Sequence, residues 1–278
     1  MYRNLLVSIP TERPPQPVID GAISLASRYK AELDAVAVGY ESSSMPLVAE
    51  GGAAVAAIFE VEREKALERA HAALALFEAE AKRAGVIHSS RAISALQGEA
   101  AAIVGATARL YDLTVVAQPE FARDTFDNTL AQEILFQSGG PVLFMPYTFK
   151  GAFHTRRVGI CWDGSRLAAR AVRDAMPLLE QAEAITIITI NADSSVPEDA
   201  SAAHLVRYLS RLGVPTEIDR LKTETANIQS SILSLAADES LDLLVMGGYG
   251  HSRLKETVFG GVTRDMLESM TVPTLMSH

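Results

Sequence analysis

Short apolar runs alternate with amphipathic stretches along the whole chain. In the second half the runs are "RVGIC", "AITIITI" (184 to 190), "TEIDRL", "LDLLVMGG" and "PTLMS". The first helical stretch follows Asp163-Gly164-Ser165, where the Asp or the Ser can cap it, and carries an apolar stripe at Ala168, Val172, Ala175 and Leu179. Further helices are expected near 197 to 212, near 226 to 238 and over "VTRDMLESM". Most of the runs are β-branched, short and apolar at every position, as strands buried on both faces are. Strand alternating with helix predicts a parallel sheet with helices on both sides.

The first half repeats the pattern with "RNLLVSIP", "LDAVAVGY", "SRAISAL", "LTVVAQ" and "PVLFMP". "YDLTVVAQ" at 111 to 118 parallels "LDLLVMGG" at 241 to 248, an offset of 130, and "GGPVLFMP" parallels "TVPTLMSH" at an offset of 132. A repeat of that size is a duplicated domain, since solenoid repeats run at roughly 20 to 50 residues. The expected fold class is therefore α/β, with two tandem doubly wound parallel-sheet domains of five strands each. Their expected bounds are 1–148 and 155–278, joined by the linker "YTFKGAFHT" near 147 to 155. The halves differ in one piece. Residues 41 to 57 read as a small-residue loop and 58 to 84 as an amphipathic helix with Leu67, Ala70, Leu74, Phe77 and Ala81 on one face.

Composition narrows the function classes. The net charge of −9 divides into −5 over residues 1–150 (13 Lys and Arg against 18 Asp and Glu) and −4 over 151–278 (12 against 16). Neither half is basic, which argues against nucleic acid as the main partner. Six scattered histidines and a single cysteine give no metal site and no intrachain disulfide. Cys161, inside an apolar run, reads as a small buried hydrophobe. No apolar run approaches the ~20 residues of a membrane span, and Pro10 interrupts the first one, so a cytoplasmic location and no membrane partner are expected.

The glycines carry the chemistry. Gly247-x2-Gly250-x9-Gly260, followed by Gly261 and a helix, directly succeeds an apolar strand. Ligands of open parallel sheets bind at the carboxyl ends of the strands, where glycines let backbone approach and successive amides bind anions. Two amide-rich turns around a loop suit a polyphosphate. The loop is no P-loop, because no G-x-x-x-x-G-K-[ST] occurs, and the Rossmann pattern fails where Arg253 stands for its third glycine. Ser138-Gly139-Gly140-Pro141 resembles a pyrophosphate loop but precedes the last strand of its half, so it is set aside. Arg253, Lys255 and Arg264 put positive charge around the glycine loop of an acidic chain.

The spacing Gly247-x2-Gly250-x9-Gly260 resembles the G-x2-G-x9-G-[S/T] of the universal stress proteins, as does Asp163 at the end of the half's first strand. The resemblance implies the adenine nucleotide alpha hydrolase-like fold, a stress-response role, and binding of ATP or another adenine nucleotide, with or without Mg. Carried over, it implies Asp163 against adenosine, the backbone of Ile190 at the adenine edge and Gly247 near the ribose. Gly250, Gly260, Gly261 and Val262 would offer amides to the phosphates. Gly261 replaces the family's hydroxyl residue, and Thr263 is the expected substitute. The first half lacks the pattern: Ile9-Pro10-Thr11 has no acid, and Ala117-Gln118-Pro119-Glu120 stands where the first glycines should be. At most one nucleotide per chain is expected. The resemblance also implies pairing of the halves through their last strands, with a homodimer of chains and an unidentified protein as further partners. His251 reads as a loop residue and no catalytic constellation is evident. The alternatives are a nucleotide-independent scaffold of the same fold and a slow ATPase.

Overall fold

The computed structural model describes residues 1–41, 52–123, 125–191, 196–248 and 262–278, with backbone alone at 52–55. The first half runs β1 (Asn4–Ile9), α1 (Gln16–Tyr29), β2 (Glu32–Tyr40), α2 (Gly52–Ala84), β3 (His88–Ala95), α3 (Gln97–Ala108), β4 (Leu113–Ala117), α4 (Phe126–Gln137) and β5 (Val142–Met145). The second runs β6 (Arg157–Cys161), α5 (Arg166–Asp174), α6 (Met176–Leu179), β7 (Ala184–Ile190), α7 (Ala202–Leu209), β8 (Thr216–Leu221), α8 (Ile228–Asp238), β9 (Leu243–Gly247), α9 (Val262–Ser269) and β10 (Thr274–Ser277).

The α/β class is as the pattern predicts, but the strands form one continuous sheet. Its order is β3-β2-β1-β4-β5-β10-β9-β6-β7-β8. Every neighbouring pair is parallel except β5 and β10, which run antiparallel with Thr274 opposite Phe144, Leu275 opposite Leu143 and Met276 opposite Val142. All four residues of each seam strand are buried. Pairing them removes two apolar sheet edges at once, which is the physical reason the halves join there. Because the seam is antiparallel, the carboxyl ends of the strands point to opposite edges of the sheet in the two halves.

Helices cover both faces. One apolar layer includes Val18, Leu25, Phe77, Val172 and Leu178, from α1, α2, α5 and α6; the other includes Val104, Ile134, Ile232 and Leu267, from α3, α4, α8 and α9. Each layer crosses the seam, so the core is shared between the halves.

Two local findings refine the expectations. The helix α2 begins at Gly52, six residues before the periodicity predicts, since "GAAVAA" has the propensity of alanine and no amphipathic signature to reveal it. Its buried face is Ala66, Ala70, Ala73, Leu74, Phe77 and Ala81, with Leu67 half-buried. The second finding is a repeat of polar chemistry. Asp112 Oδ2 accepts from the amides of Arg3 (2.6 Å) and Asn4 (2.9 Å), and Asp242 Oδ2 accepts from those of Arg156 and Arg157 (both 3.0 Å). Each carboxylate holds the entry to the strand beside it, β1 or β6. Replacing Asp242 by alanine is expected to lower stability by about 1 to 2 kcal/mol, given solvent exposure, read as an earlier urea midpoint at constant slope. An unmoved midpoint would show that the two bonds carry no net weight.

Candidate functional site

In the second half β6 lies between β9 and β7, so chain order reverses between β6 and β9. That reversal opens a crevice at the carboxyl ends of these two strands. Asp163 stands there, exposed, two residues beyond the end of β6. Its Oδ1 accepts from the Ser165 amide at 2.9 Å, and Ser165 Oγ in turn accepts from the Ala168 amide at 3.1 Å, capping α5. Gly164 links them with φ +71°, and a Cβ on it would lie 2.6 Å from Val196 Cγ1. The turn therefore needs glycine for its conformation and for its neighbour.

Gly247 ends β9 on the other side of the crevice. A Cβ there would lie 2.7 Å from the Ala168 amide nitrogen and 2.8 Å from the Leu167 carbonyl carbon. The first turn of α5 is thus what approaches this glycine, a packing reason independent of any ligand. Gly248 donates its amide to Ser277 O at 2.9 Å, and a Cβ on it would meet Leu135 of α4 at 3.0 Å. Ile190, last in β7, is half-buried, and Asn191 follows at φ +51°. The Asn191 side chain exchanges hydrogen bonds with the Thr223 backbone at 2.7 and 3.1 Å, which ties the end of β7 to the chain leaving β8.

Of the expected site residues, Asp163 and Gly247 come to the ends of adjacent strands, and Ile190 to the end of the next strand on the far side of β6. Val262 and Thr263 open α9, Val262 half-buried and Thr263 only 6% exposed. That burial works against Thr263 as a freely offered hydroxyl. Gly250, Gly260 and Gly261, with Arg253, Lys255 and His251, lie outside the described residues.

Sequence reasoning missed the layer beneath. Trp162 is 9% exposed, and its indole donates to Ala200 O at 2.8 Å, holding the segment that packs on Gly164. A hollow of about 280 Å³ lies behind it between α5 and α7, floored by Trp162, Val172 and Leu205 and rimmed by Arg173, His204 and Tyr208. Cys161 is half-buried, and desolvation, with the charge of Asp163, pushes its thiol up to about 12. At pH 8 the thiolate is therefore scarce. Ellman's reagent is expected to leave native protein unmodified over minutes and to titrate one thiol per chain in denaturant; rapid native reaction would show that the thiol ionises readily and is within reach.

Residues 154–278 match the model of the universal stress protein family, so the C-terminal part of the chain carries a domain of that family. The universal stress protein Slr1230 of Synechocystis is 28% identical over 90 residues, which is 32% of this chain and 30% of that protein's length. Among solved structures, a universal stress protein from Archaeoglobus fulgidus aligns over 98% of this chain and 95% of its own, with TM-score 0.74 and 13% identity. A putative universal stress protein from Pseudomonas aeruginosa covers 99% and 93%, with TM-score 0.55 and 14% identity. Both likenesses extend the shared fold to nearly the whole chain. A universal stress protein solved in complex with cAMP aligns over 44% of this chain and 97% of its own at TM-score 0.34 and 20% identity, too distant to bear on the ligand here.

Proposed function

We propose that the chain is a tandem universal stress protein, with domains 1–148 and 155–278, that binds ATP or another adenine nucleotide in the second domain and passes occupancy to a protein partner. The observation that carries this reading is the placement of Asp163 and Gly247 at the carboxyl ends of the adjacent strands β6 and β9, where chain order reverses, inside the part that matches the family. The glycine spacing that follows Gly247 supplies the amides a polyphosphate requires. Asp163 accepts from the ribose or base. Mg, if present, accompanies the phosphates. The reading is of a binding protein, with a slow ATPase as the lesser form. A homodimer of chains and a cytoplasmic location belong to the same reading.

The test is the identity of what co-purifies. Protein is denatured and its supernatant examined by mass spectrometry, with Asp163→Ala and Gly250→Glu in parallel. An adenine nucleotide at about one per chain, lost in both variants, supports the proposal; an empty wild-type protein that also takes up no millimolar ATP overturns it.

One observation favours a second reading. Gly247 is required by packing, against the backbone at the start of α5, so this glycine persists with or without a ligand. A nucleotide-independent scaffold of the same fold follows if Gly250→Glu leaves capture of the protein partner unchanged.

A further inference from the structure

The crevice of the first half is built on the same plan. Leu5 pairs with Leu113 as Val158 pairs with Leu243, and the Gln118 amide donates to Met145 O (2.8 Å) as the Gly248 amide donates to Ser277 O (2.9 Å). Counted along these strands, Pro10 takes the place of Asp163, and Ala117 and Gln118 take those of Gly247 and Gly248. The connection after β1 spans residues 10–15, six residues where the connection after β6 has four, 162–165. Within that longer, proline-rich loop stands Arg13.

We propose that Arg13 is a built-in occupant of the first-half crevice, and that the crevice so filled holds α9 of the second half through Gln118. The Arg13 guanidinium donates Nη1 to Gln118 O and Nη2 to Ala117 O (3.3 Å), capping the open end of β4. The donors that would otherwise seek an anion are met by carboxylates of the chain itself. Asp127 Oδ2 accepts from the amides of Thr11 (3.0 Å) and Glu12 (2.9 Å), Oδ1 accepts from the Tyr40 hydroxyl (3.2 Å), and Glu12 Oε2 accepts from the Phe126 amide (2.7 Å) at the start of α4. The Thr11, Glu12 and Phe126 amides and the Tyr40 hydroxyl are thus met from within the chain, while Arg13 Nε and Thr125 Oγ1 stay buried without a hydrogen-bond partner. Burial pushes the Arg13 pKa down and that of Asp127 up, while each eases the other's charge.

Gln118 carries the filled crevice across the seam. Its side chain is wholly buried, and Nε2 donates to Leu267 O (2.9 Å) and Glu268 O (3.2 Å), two of the carbonyls that the last turn of α9 leaves without helical partners. Its Oε1 accepts from the Tyr147 amide at 3.2 Å. Three residues on, Phe121 lies 5.5 Å beneath the Arg264 guanidinium of α9. Gln118 thus fixes the C-terminal end of α9 to the first half and Phe121 touches its first turn, while the N-terminal end, about 12 Å from the other at 1.5 Å per residue, is the end the proposed nucleotide would meet. This last consequence alone rests on the nucleotide reading.

The test uses the full chain without nucleotide. Arg13→Ala is expected to speed amide exchange of the peptide over 262–270 about tenfold, the loss of one charge-assisted bond's worth of anchoring. Millimolar guanidinium or methylguanidinium chloride, against equal sodium chloride, should restore protection by refilling the vacated space, well below denaturing levels. Gln118→Met keeps volume and backbone but not the amide, so exchange over 262–270 should rise in the same way and guanidinium should not reverse it. Unchanged protection in Gln118→Met overturns the link to α9; an Arg13→Ala defect that guanidinium does not repair overturns the built-in occupant. Should Arg13→Ala fail to fold, recovery of folding by guanidinium supports occupancy and its absence counts against it. A wild-type chain that binds no ATP would sink the proposed function and leave these outcomes standing.

Discussion

Replacing Gly39 by alanine is expected to cost the protein about 3 kcal/mol or more, a fall in melting temperature of roughly 6 to 12 °C for a chain of this size. Gly39 lies in β2 under the long helix α2, and a Cβ on it would stand 1.7 Å from Ala66 O and 2.3 Å from Ala66 C. The obstacle is helix backbone, which cannot swing aside as a side chain can. Relief requires α2 to move off the sheet, and with it Ala70, Leu74 and Phe77, which bury the outer strands of the first half. Gly98→Ala is the matched control, because nothing lies within 4 Å of its added methyl and it sits early in α3. That change should leave the melting temperature unmoved or slightly higher. Circular dichroism melts of the two variants decide the matter: equal melts would mean that α2 yields without cost and that its contact with β2 is loose.

On the proposed nucleotide reading, replacing Asp163 by alanine is expected to weaken adenine nucleotide binding about 10- to 150-fold, the worth of a hydrogen bond to a charged group at 1.5 to 3 kcal/mol. The same substitution should leave the unliganded fold almost untouched, since Asp163 is exposed and the hydrogen bond described for it is the one from the Ser165 amide. Asp163→Asn should fall between the two, keeping an acceptor and losing the charge. Isothermal titration gives the affinity and a melt without nucleotide gives the stability. Affinity lost with stability intact places Asp163 at the ligand, whereas unaltered affinity removes it from the site and weakens the case for the crevice between β6 and β9.

How legible was all this in the sequence? Strand and helix alternation is a local signal, and the near-identical spacing of "YDLTVV" and "LDLLVM" made the duplication visible without any contact information. That Asp163 stands just past the end of one apolar strand and Gly247 at the end of another was legible for a similar reason, because a strand end is a local signal. The start of α2 was hidden, since alanines and glycine have no polar face to betray a period. The single continuous sheet is a tertiary fact: nothing in "PVLFMP" or "PTLMS" says that separate sheets would leave two bare edges, although the family resemblance did point to these strands as partners. Gly247 had a reason that spacing cannot give, the close approach of Leu167 and Ala168. Arg13 was invisible because a loop arginine after a strand is ordinary, and only the fold brings its guanidinium to the carbonyls of Ala117 and Gln118, more than a hundred residues away along the chain. The degenerate first half read as a site with pieces missing, while in the structure Arg13 and Asp127 bond to the backbone at the ends of β1 and β4.

The antiparallel seam also sets a timetable. β5 is complete at Met145, but its partner β10 starts only at Thr274. A ribosome adding roughly 5 to 20 residues per second needs on the order of ten seconds to cover the roughly 130 residues between them, far longer than a small α/β unit takes to fold. Throughout that interval the nascent first half presents Val142, Leu143, Phe144 and Met145 as an unpaired apolar edge, the kind of surface to which another nascent chain can add a strand. Slow synthesis of the second half, or a stall before its final strand, would therefore endanger solubility more than a fault within either half. Newborn chains on one messenger would be the first to feel it.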